Sequence, residues 1–383
     1  MPRYNPVFEA LPAYPFVELD RRKAEMRRRG VRIYDFTIGD PVEPTAEFIR
    51  QALLGAIAPV CPYPKVRGSA AVRGAIAGYL HRRFGVDVDP AREILPTAGA
   101  KEVVFHMPLL VIDADAPDRR VVFPDPGYPA CARGASFAGG VPTAVPLHGD
   151  HVFRPWELPE TVLRETRLLW INTPHNPSGA VMSREVLERT AELAHKHDIL
   201  LVSDETYADI WLDEAPPSLL EVARENVLVL HSLSKRSGMT GYRSGFVAGD
   251  PAVIAKLAAL RSNPGLVPQD FVNAAAAVAW ADDDHVAPRR EAFAAKKRVF
   301  LDFFDEVGLD VIGRHAAIYL WVRVPDGHTD ESWARLLLDR GLAVSPGRMF
   351  GISDDAGAGF VRLAMVPTVD DCRDAVALWR EVL

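Results

Sequence analysis

The sequence predicts an α/β fold: a large domain with a mostly parallel sheet flanked by helices, plus a smaller α+β domain. Three observations predict it. The chain has 383 residues, more than the ~250–300 at which a single hydrophobic core stops growing. Its middle third alternates short apolar runs with helical patterns, the texture of βαβ units. After about residue 270 the texture changes to a long helical stretch followed by amphipathic strands and helices. The expected division is a large α/β domain over 46–280, with 1–45 and 281–383 forming the small domain and an N-terminal arm.

The elements follow in order. RRVVFPDP (119–126) reads as a buried strand stopped by prolines, and VPTAVPL (141–147) and RLLWINTP (167–174) read likewise. SREVLERTAELAHKH (183–197) places apolar residues at helical spacing, with Ser183 as N-cap. DILLVSDE (198–205) and NVLVLHSLS (226–234) are the next buried strands. A helix runs from about Pro288 to Val307. AAIYLWVRV (316–324) alternates like a half-exposed strand. ESWARLLLDRG (331–341) is a helix stopped by Gly341. AGFVRLAM (358–365) is a strand and TVDDCRDAVALWREVL (368–383) a terminal helix.

Composition excludes several function classes. Lys+Arg 44 against Asp+Glu 51 gives a net charge of −7, which argues against a nucleic-acid or membrane-surface binder. Three separated cysteines, Cys61, Cys131 and Cys372, build neither a disulfide framework nor a cysteine zinc site. The most apolar run, Val103 to Ile112, is too short to span a bilayer, and no secretory signal is readable. A cytoplasmic protein is expected. His195 and His197 face different ways on a helix and make poor joint metal ligands; no metal is expected. Arg27 to Arg29 read as a solvated helix end, and Asp282 to Asp284 as a helix start.

Chemistry gathers where the inferred strands end. LLWIN is followed by Thr173-Pro-His-Asn176-Pro-Ser-Gly179, ILLVS by Asp204-Glu-Thr-Tyr207, and VLVLH by Ser232-Leu-Ser234-Lys235 and then Gly241-Tyr-Arg243. In an open α/β sheet, ligands bind beyond the carboxyl ends of the strands. An amide, a carboxylate, a phenol, a lysine and an arginine on one face suit a flat, phosphorylated, heteroaromatic aldehyde. SLSK also satisfies the SxxK pattern of penicillin-binding proteins, but the SDN and KTG tripeptides of that family do not occur. No GxGxxG or P-loop appears, so nucleotide cofactors have no support.

SLSK-x7-R with upstream NPSG and DETY resembles the class I/II aminotransferases, pyridoxal-phosphate enzymes of fold type I, over nearly the whole chain. The resemblance implies a cofactor, pyridoxal 5'-phosphate, and a role for each matching residue. Lys235 would bond the cofactor's aldehyde carbon and, once released, act as the catalytic base. Asp204 would keep the pyridine nitrogen protonated. Asn176 and Tyr207 would hydrogen-bond the phenolic oxygen, and Tyr128, in DPGYP, would stack on the ring. Arg243, Ser232, Ser234 and the turn Gly99-Ala100-Lys101 would hold the phosphate. Tyr63, in YPKVRG, resembles the tyrosine that reaches the phosphate from a neighbouring subunit, implying a homodimer with shared active sites. Arg362, in FVRLAM, and Gly39, in FTIGDP, would take the substrate's α-carboxylate.

The substrates implied are an L-amino acid, with glutamate heading the candidates, and a 2-oxo acid. SLSKRSGMTGYRSGFVAGD, ILPTAGAKEVVFH and AWADDDHVAPRR look like the succinyldiaminopimelate aminotransferases of lysine biosynthesis. Gly238 departs from the asparagine usual after SKRS there. A distal carboxylate needs a second cation, for which Arg3, Lys65, Arg67, Lys101 and Arg348 are candidates. Tyr4, Phe8, Tyr14 and Phe16 resemble an arm covering the site. Alternatives on the same core residues are another class I aminotransferase of the aspartate or aromatic type, or a pyridoxal-phosphate lyase or oxidase. A ligand-sensing regulator would carry a DNA-binding domain ahead of this fold, whereas the resemblance begins near the N-terminus.

Overall fold

A computed structural model describes residues 2–10 and 16–383. The N-terminal segment contributes a two-residue strand, β1 (Tyr34–Asp35). The large sheet is built from β2 (Ile94–Thr97), β3 (Arg120–Asp125), β4 (Val141–Pro146), β5 (Thr166–Asn172), β6 (Leu200–Asp204), β7 (Val227–Ser232) and β8 (Gly245–Gly249). Its order is β2-β8-β7-β6-β5-β3-β4. β8 is antiparallel to both neighbours, and the remaining pairings are parallel. The carboxyl ends of β2, β3, β5, β6 and β7 therefore open on one edge, where β8 also begins.

Helices cover both faces of this sheet. One core gathers Ile76, Leu80, Ile171, Leu201, Val229 and Phe246, the other Val103, Val121, Trp170, Val202 and Leu230. The Arg184–Lys196 helix starts where Ser183 accepts a hydrogen bond from Val186 N, the cap expected from sequence. β4 departs from expectation. It is half-exposed rather than buried, because it lies at the sheet edge, where Pro142 and Pro146 cost no ladder hydrogen bonds.

The second sheet has the order β12-β13-β10-β9, from β9 (Val311–Ile312), β10 (Tyr319–Arg323), β12 (Ser345–Pro346) and β13 (Phe360–Ala364). β11 (Leu342–Ala343) pairs in parallel with β1, joining the two ends of the chain. The Val286–Val307 and Val369–Arg380 helices pack on this sheet through Phe300, Phe304, Cys372 and Trp379. β10 is buried at four of its five residues, not half-exposed as its alternation suggests. Its other face is covered too: Trp321 stacks on Phe360 at 5.4 Å and meets Phe350 and His151 edge-on.

Candidate active site

The floor is set by β5 and β6, paired so that Asn172 stands opposite Asp204. Asn172 Nδ2 donates to Asp204 O at 2.7 Å, and its Oδ1 accepts from Asn176 N at 2.7 Å. The strand end is thereby locked and Asn176 presented. Asp204 Oδ1 accepts from Thr206 N at 3.1 Å and from its hydroxyl at 2.6 Å, a local turn that fixes the carboxylate rotamer. Burial pushes the Asp204 carboxyl above its usual range, and the two Thr206 bonds act against it. Such a carboxylate gains most from a cationic partner brought to it.

One wall comes from the small sheet. Tyr207 and Tyr319 share a hydroxyl hydrogen bond of 2.8 Å with their rings edge-on. Arg362 is buried, its guanidinium between the rings of Tyr319 and Phe350 at 4.5 and 4.2 Å. It donates to Asn176 Oδ1 at 2.9 Å and to Thr37 O at 2.6 Å. Stacking and hydrogen bonds hold the planar fork in one plane, which bidentate recognition of a carboxylate requires.

Lys235 follows β7. Ser232 Oγ accepts from Ser234 N at 3.2 Å and donates to Ser234 Oγ at 2.9 Å, starting the short Leu233–Arg236 helix. Lys235 Nζ donates to Gly39 O. Its ammonium is pushed down to about 8 by burial, with Arg243, Arg362 and Arg289 adding to the effect and Asp40 opposing it. A side chain at Gly39 has no room, since a Cβ there would stand 2.8 Å from the Tyr319 hydroxyl.

Arg243 sits in the left-handed region at φ 54°, so its guanidinium turns back to donate to Thr240 O at 3.1 Å and to reach Ala98 O at 3.5 Å. Gly99 has φ +78°, and a Cβ on it would lie 2.6 Å from Arg243 Nη2. The Ala100–His106 helix begins there without a side-chain cap, so its first N–H groups face the same space as Arg243. Hydroxyls, a guanidinium and helix N–H groups form the donor set of a phosphate site.

A cleft of about 1060 Å³ joins these groups. It is lined by Gly39, Ala100, Lys101, Tyr128, Asn176, Asp204, Tyr207, Ser232, Ser234, Lys235, Arg243 and Arg362, all expected from sequence, with Gly99 adjoining through Arg243. Tyr63 does not line it and is 99% exposed. Of the candidate distal cations only Lys101 lines the cleft. Arg67 donates to Ala91 O at 2.9 Å, and Arg348 pairs with Asp330 at 3.1 Å. Tyr4 and Phe8 are exposed, whereas Tyr14 lies outside the described residues. Sequence reasoning missed Asn172, Tyr319, Phe350 and Arg133, which also line the cleft. Asn172 alone had a signal, a polar residue closing an apolar strand. Among the described residues no His/Cys/Asp/Glu group suits a metal, and no helix is long and apolar enough to cross a membrane.

The residues fit pyridoxal phosphate. An amine of lowered pKa stands in one cleft with a carboxylate of raised pKa, and a cradle that a Cβ at residue 99 would fill adjoins them. Fold and site together define a pyridoxal-phosphate enzyme of fold type I. The chain belongs to the class I and II aminotransferases, whose family model matches residues 31–378. It is 34% identical over 370 residues to the LL-diaminopimelate aminotransferase of Aquifex aeolicus, covering 94% of each chain. It is 35% identical over 368 residues to that of Desulforudis audaxviator, covering 94% of this chain and 92% of the other. Among solved structures, a Thermus thermophilus aspartate aminotransferase double mutant superposes with a TM-score of 0.92 at 29% identity, over 100% of both chains. A probable N-succinyldiaminopimelate aminotransferase, also from Thermus thermophilus, superposes at 0.89 with 30% identity, covering 96% of this chain and 100% of that one. The protein is a pyridoxal-phosphate-dependent aminotransferase.

Proposed function

We propose that the enzyme exchanges an amino group between a diaminopimelate-class amino acid and 2-oxoglutarate by a ping-pong mechanism. LL-diaminopimelate is placed first because the relatives above carry that name. The observation that carries the transamination reading is the meeting, in one cleft, of Lys235 at about 8 with the buried, ring-stacked Arg362. Lys101 and Arg133 in the same cleft favour a substrate with a distal carboxylate. The N-succinylated compound is the second reading, supported by the Thermus structure of that printed description.

When bound, pyridoxal phosphate supplies an electrophilic carbon for the amino group and a ring that accepts the electron pair left as the α-proton departs. The chain's own residues do the rest. Lys235 would anchor the cofactor and, once released, carry the α-proton on Nζ; burial and the neighbouring arginines favour its neutral form, the form a base requires. Asp204 would hold a proton on the ring nitrogen, and Asn176 and Tyr207 would hydrogen-bond the ring oxygen. Tyr128 would pack on the ring face. Arg243, Ser232, Ser234 and the turn at 99–101 hold the phosphate. Arg362 grips the α-carboxylate, with Gly39 leaving room for it. Tyr63 of a second copy completes the phosphate site, so the working form is a homodimer, placed in the cytoplasm. Residues 46–280 form the large cofactor-binding domain, and 1–45 and 281–383 the small domain with its N-terminal arm.

The test is a half-reaction panel. LL-diaminopimelate, its N-succinyl derivative, glutamate, aspartate and alanine are each added to holoenzyme while the visible spectrum and the 2-oxo product are followed. LL-diaminopimelate and glutamate are expected to bleach the visible band and yield stoichiometric 2-oxo acid. Ammonia released together with 2-oxo acid, with the visible band retained, would point to lyase or oxidase chemistry. Preference for the succinyl compound would select the second reading.

A further inference from the structure

Gly238, three residues after Lys235, has φ +67°. Asparagine tolerates that conformation better than most residues, so backbone geometry alone does not account for glycine. The space around it does. A Cβ at 238 would stand 2.7 Å from Arg289 Nη1, 3.0 Å from its Cζ and 3.1 Å from Nη2.

Arg289 enters this slot from the Val286–Val307 helix and is buried there. Its Nε donates to Lys235 O at 3.4 Å, and its Nη1 reaches Glu43 O at 3.3 Å and Pro44 O at 3.2 Å. Thr45 Oγ1 closes the slot by donating to Gly238 O at 2.7 Å. The Glu43 carboxylate is engaged elsewhere, by Lys296. The guanidinium is therefore held by main-chain carbonyls of two segments. One of them is the short helix carrying Lys235. The other continues from Gly39, whose carbonyl accepts from Lys235 Nζ. Lys235 is gripped at both ends by groups tied to the same stretch, which sets how far its amine projects into the cleft.

We propose that Arg289 is a positioning residue for Lys235, and that residue 238 is glycine because the guanidinium occupies the place of a side chain. This rests on the reading of Lys235 as the amine that takes the cofactor. The charged and titratable groups facing that lysine are Asp40, Arg243, Arg362 and Arg289, with Asp204 and Tyr207 in the same cleft. Removing one cation from this set makes protonation of Lys235 easier.

The experiment measures how fast the full chain, stripped of cofactor, takes pyridoxal phosphate into its visible band from neutral to alkaline pH. The variants are R289M, R289K, G238N and the double G238N/R289M, with thermal unfolding of each as the fold control. R289M is expected to slow capture several-fold and to move the midpoint of its pH profile up by roughly 0.3–1 unit, the size of a screened through-space charge effect. R289K retains part of both effects. G238N behaves like R289M because it displaces the guanidinium, and the double variant is no worse than G238N alone. A G238N chain with the wild-type rate and midpoint would overturn the proposal, as would losses that multiply in the double variant. A lowered melting temperature with an unmoved midpoint would reduce Arg289 to a structural tie and equally overturn it. K235A separates the two levels: undiminished capture by that variant would remove the reading of Lys235 itself, whereas its failure beside an unaffected R289M removes only the role of Arg289.

Discussion

At the scale of single residues, the phosphate end of the cleft makes the sharpest demand. Arg243 is aimed by a left-handed backbone and by a glycine that leaves it room. A charge-assisted hydrogen bond contributes about 1.5–3 kcal/mol, so Arg243→Ala is expected to raise the cofactor Kd about ten- to a hundred-fold. Equilibrium dialysis of pyridoxal phosphate against the variant reads this directly, and a variant that stays fully loaded would remove Arg243 from the phosphate site. Lys235, Asp204 and Asn176 were legible in the sequence because each closes an apolar strand or follows one within a few residues, and the edge of a parallel sheet collects what stands at its strand ends. Tyr319 and Phe350 were not, because they reach the cleft from the other sheet, through packing that no local pattern records. Arg133 was hidden differently. Gly134 brings its helix so near the Ala100–His106 helix that a Cβ would stand 2.5 Å from Phe105 O. Only that helix pairing puts Arg133 in the same cleft as Lys101.

At the scale of elements, the Val286–Val307 helix braces the site through a buried amine. Lys297 is fully buried and donates to Gly313 O at 2.6 Å and Ala316 O at 2.5 Å. Gly313 in turn abuts Gly179, where a Cβ would lie 2.7 Å from the Gly313 Cα, so the turn presenting Asn176 rests on this brace. Burial pushes the Lys297 ammonium down to about 7, against about 10.4 in an unfolded chain. Below the folded value both states hold the proton. Between the two values the unfolded chain holds one more, so stability rises with pH in that window, with a limiting slope of about 1.4 kcal/mol per pH unit. Lys297→Met is expected to lose its two hydrogen bonds and to flatten this slope. Urea midpoints of both proteins at neutral and mildly alkaline pH check it, and an equal slope in the variant would rule Lys297 out as the source. Most of the strands that were legible are short apolar runs bounded by polar or turn residues. β2 and β8 escaped because Pro96, Gly245 and Gly249 look like turn residues. In the fold Pro96 lies on an edge strand, and a Cβ on Gly245 or Gly249 would press within 2.4 and 2.2 Å of β7 carbonyls, so these glycines serve close strand packing.

At the scale of the whole molecule, one stretch near the N-terminal end of the large domain carries exposed apolar side chains. Phe48, Leu54, Ile57 and Val60 are exposed in one stretch, and it ends at the fully exposed Tyr63. Exposed apolar side chains grouped along one stretch are what a subunit interface would cover. A two-fold interface would bring each Tyr63 to the partner's cleft, and that arrangement has a consequence for mixtures. A chain with Lys235→Ala keeps a sound Tyr63, and a chain with Tyr63→Ala keeps a sound Lys235. Each homodimer has two defective sites. A mixed dimer has one site with both defects and one with neither. Equal amounts, exchanged to equilibrium, place half the subunits in mixed dimers, so about a quarter of all sites become whole. Aminotransfer is therefore expected to rise from near zero to about a quarter of the wild-type rate per subunit, on the time course of subunit exchange followed independently with differently tagged chains. Exchange without regained activity would mean that each cleft is completed within its own chain, and full activity of the Tyr63 variant alone would show that the exposed tyrosine reaches no phosphate.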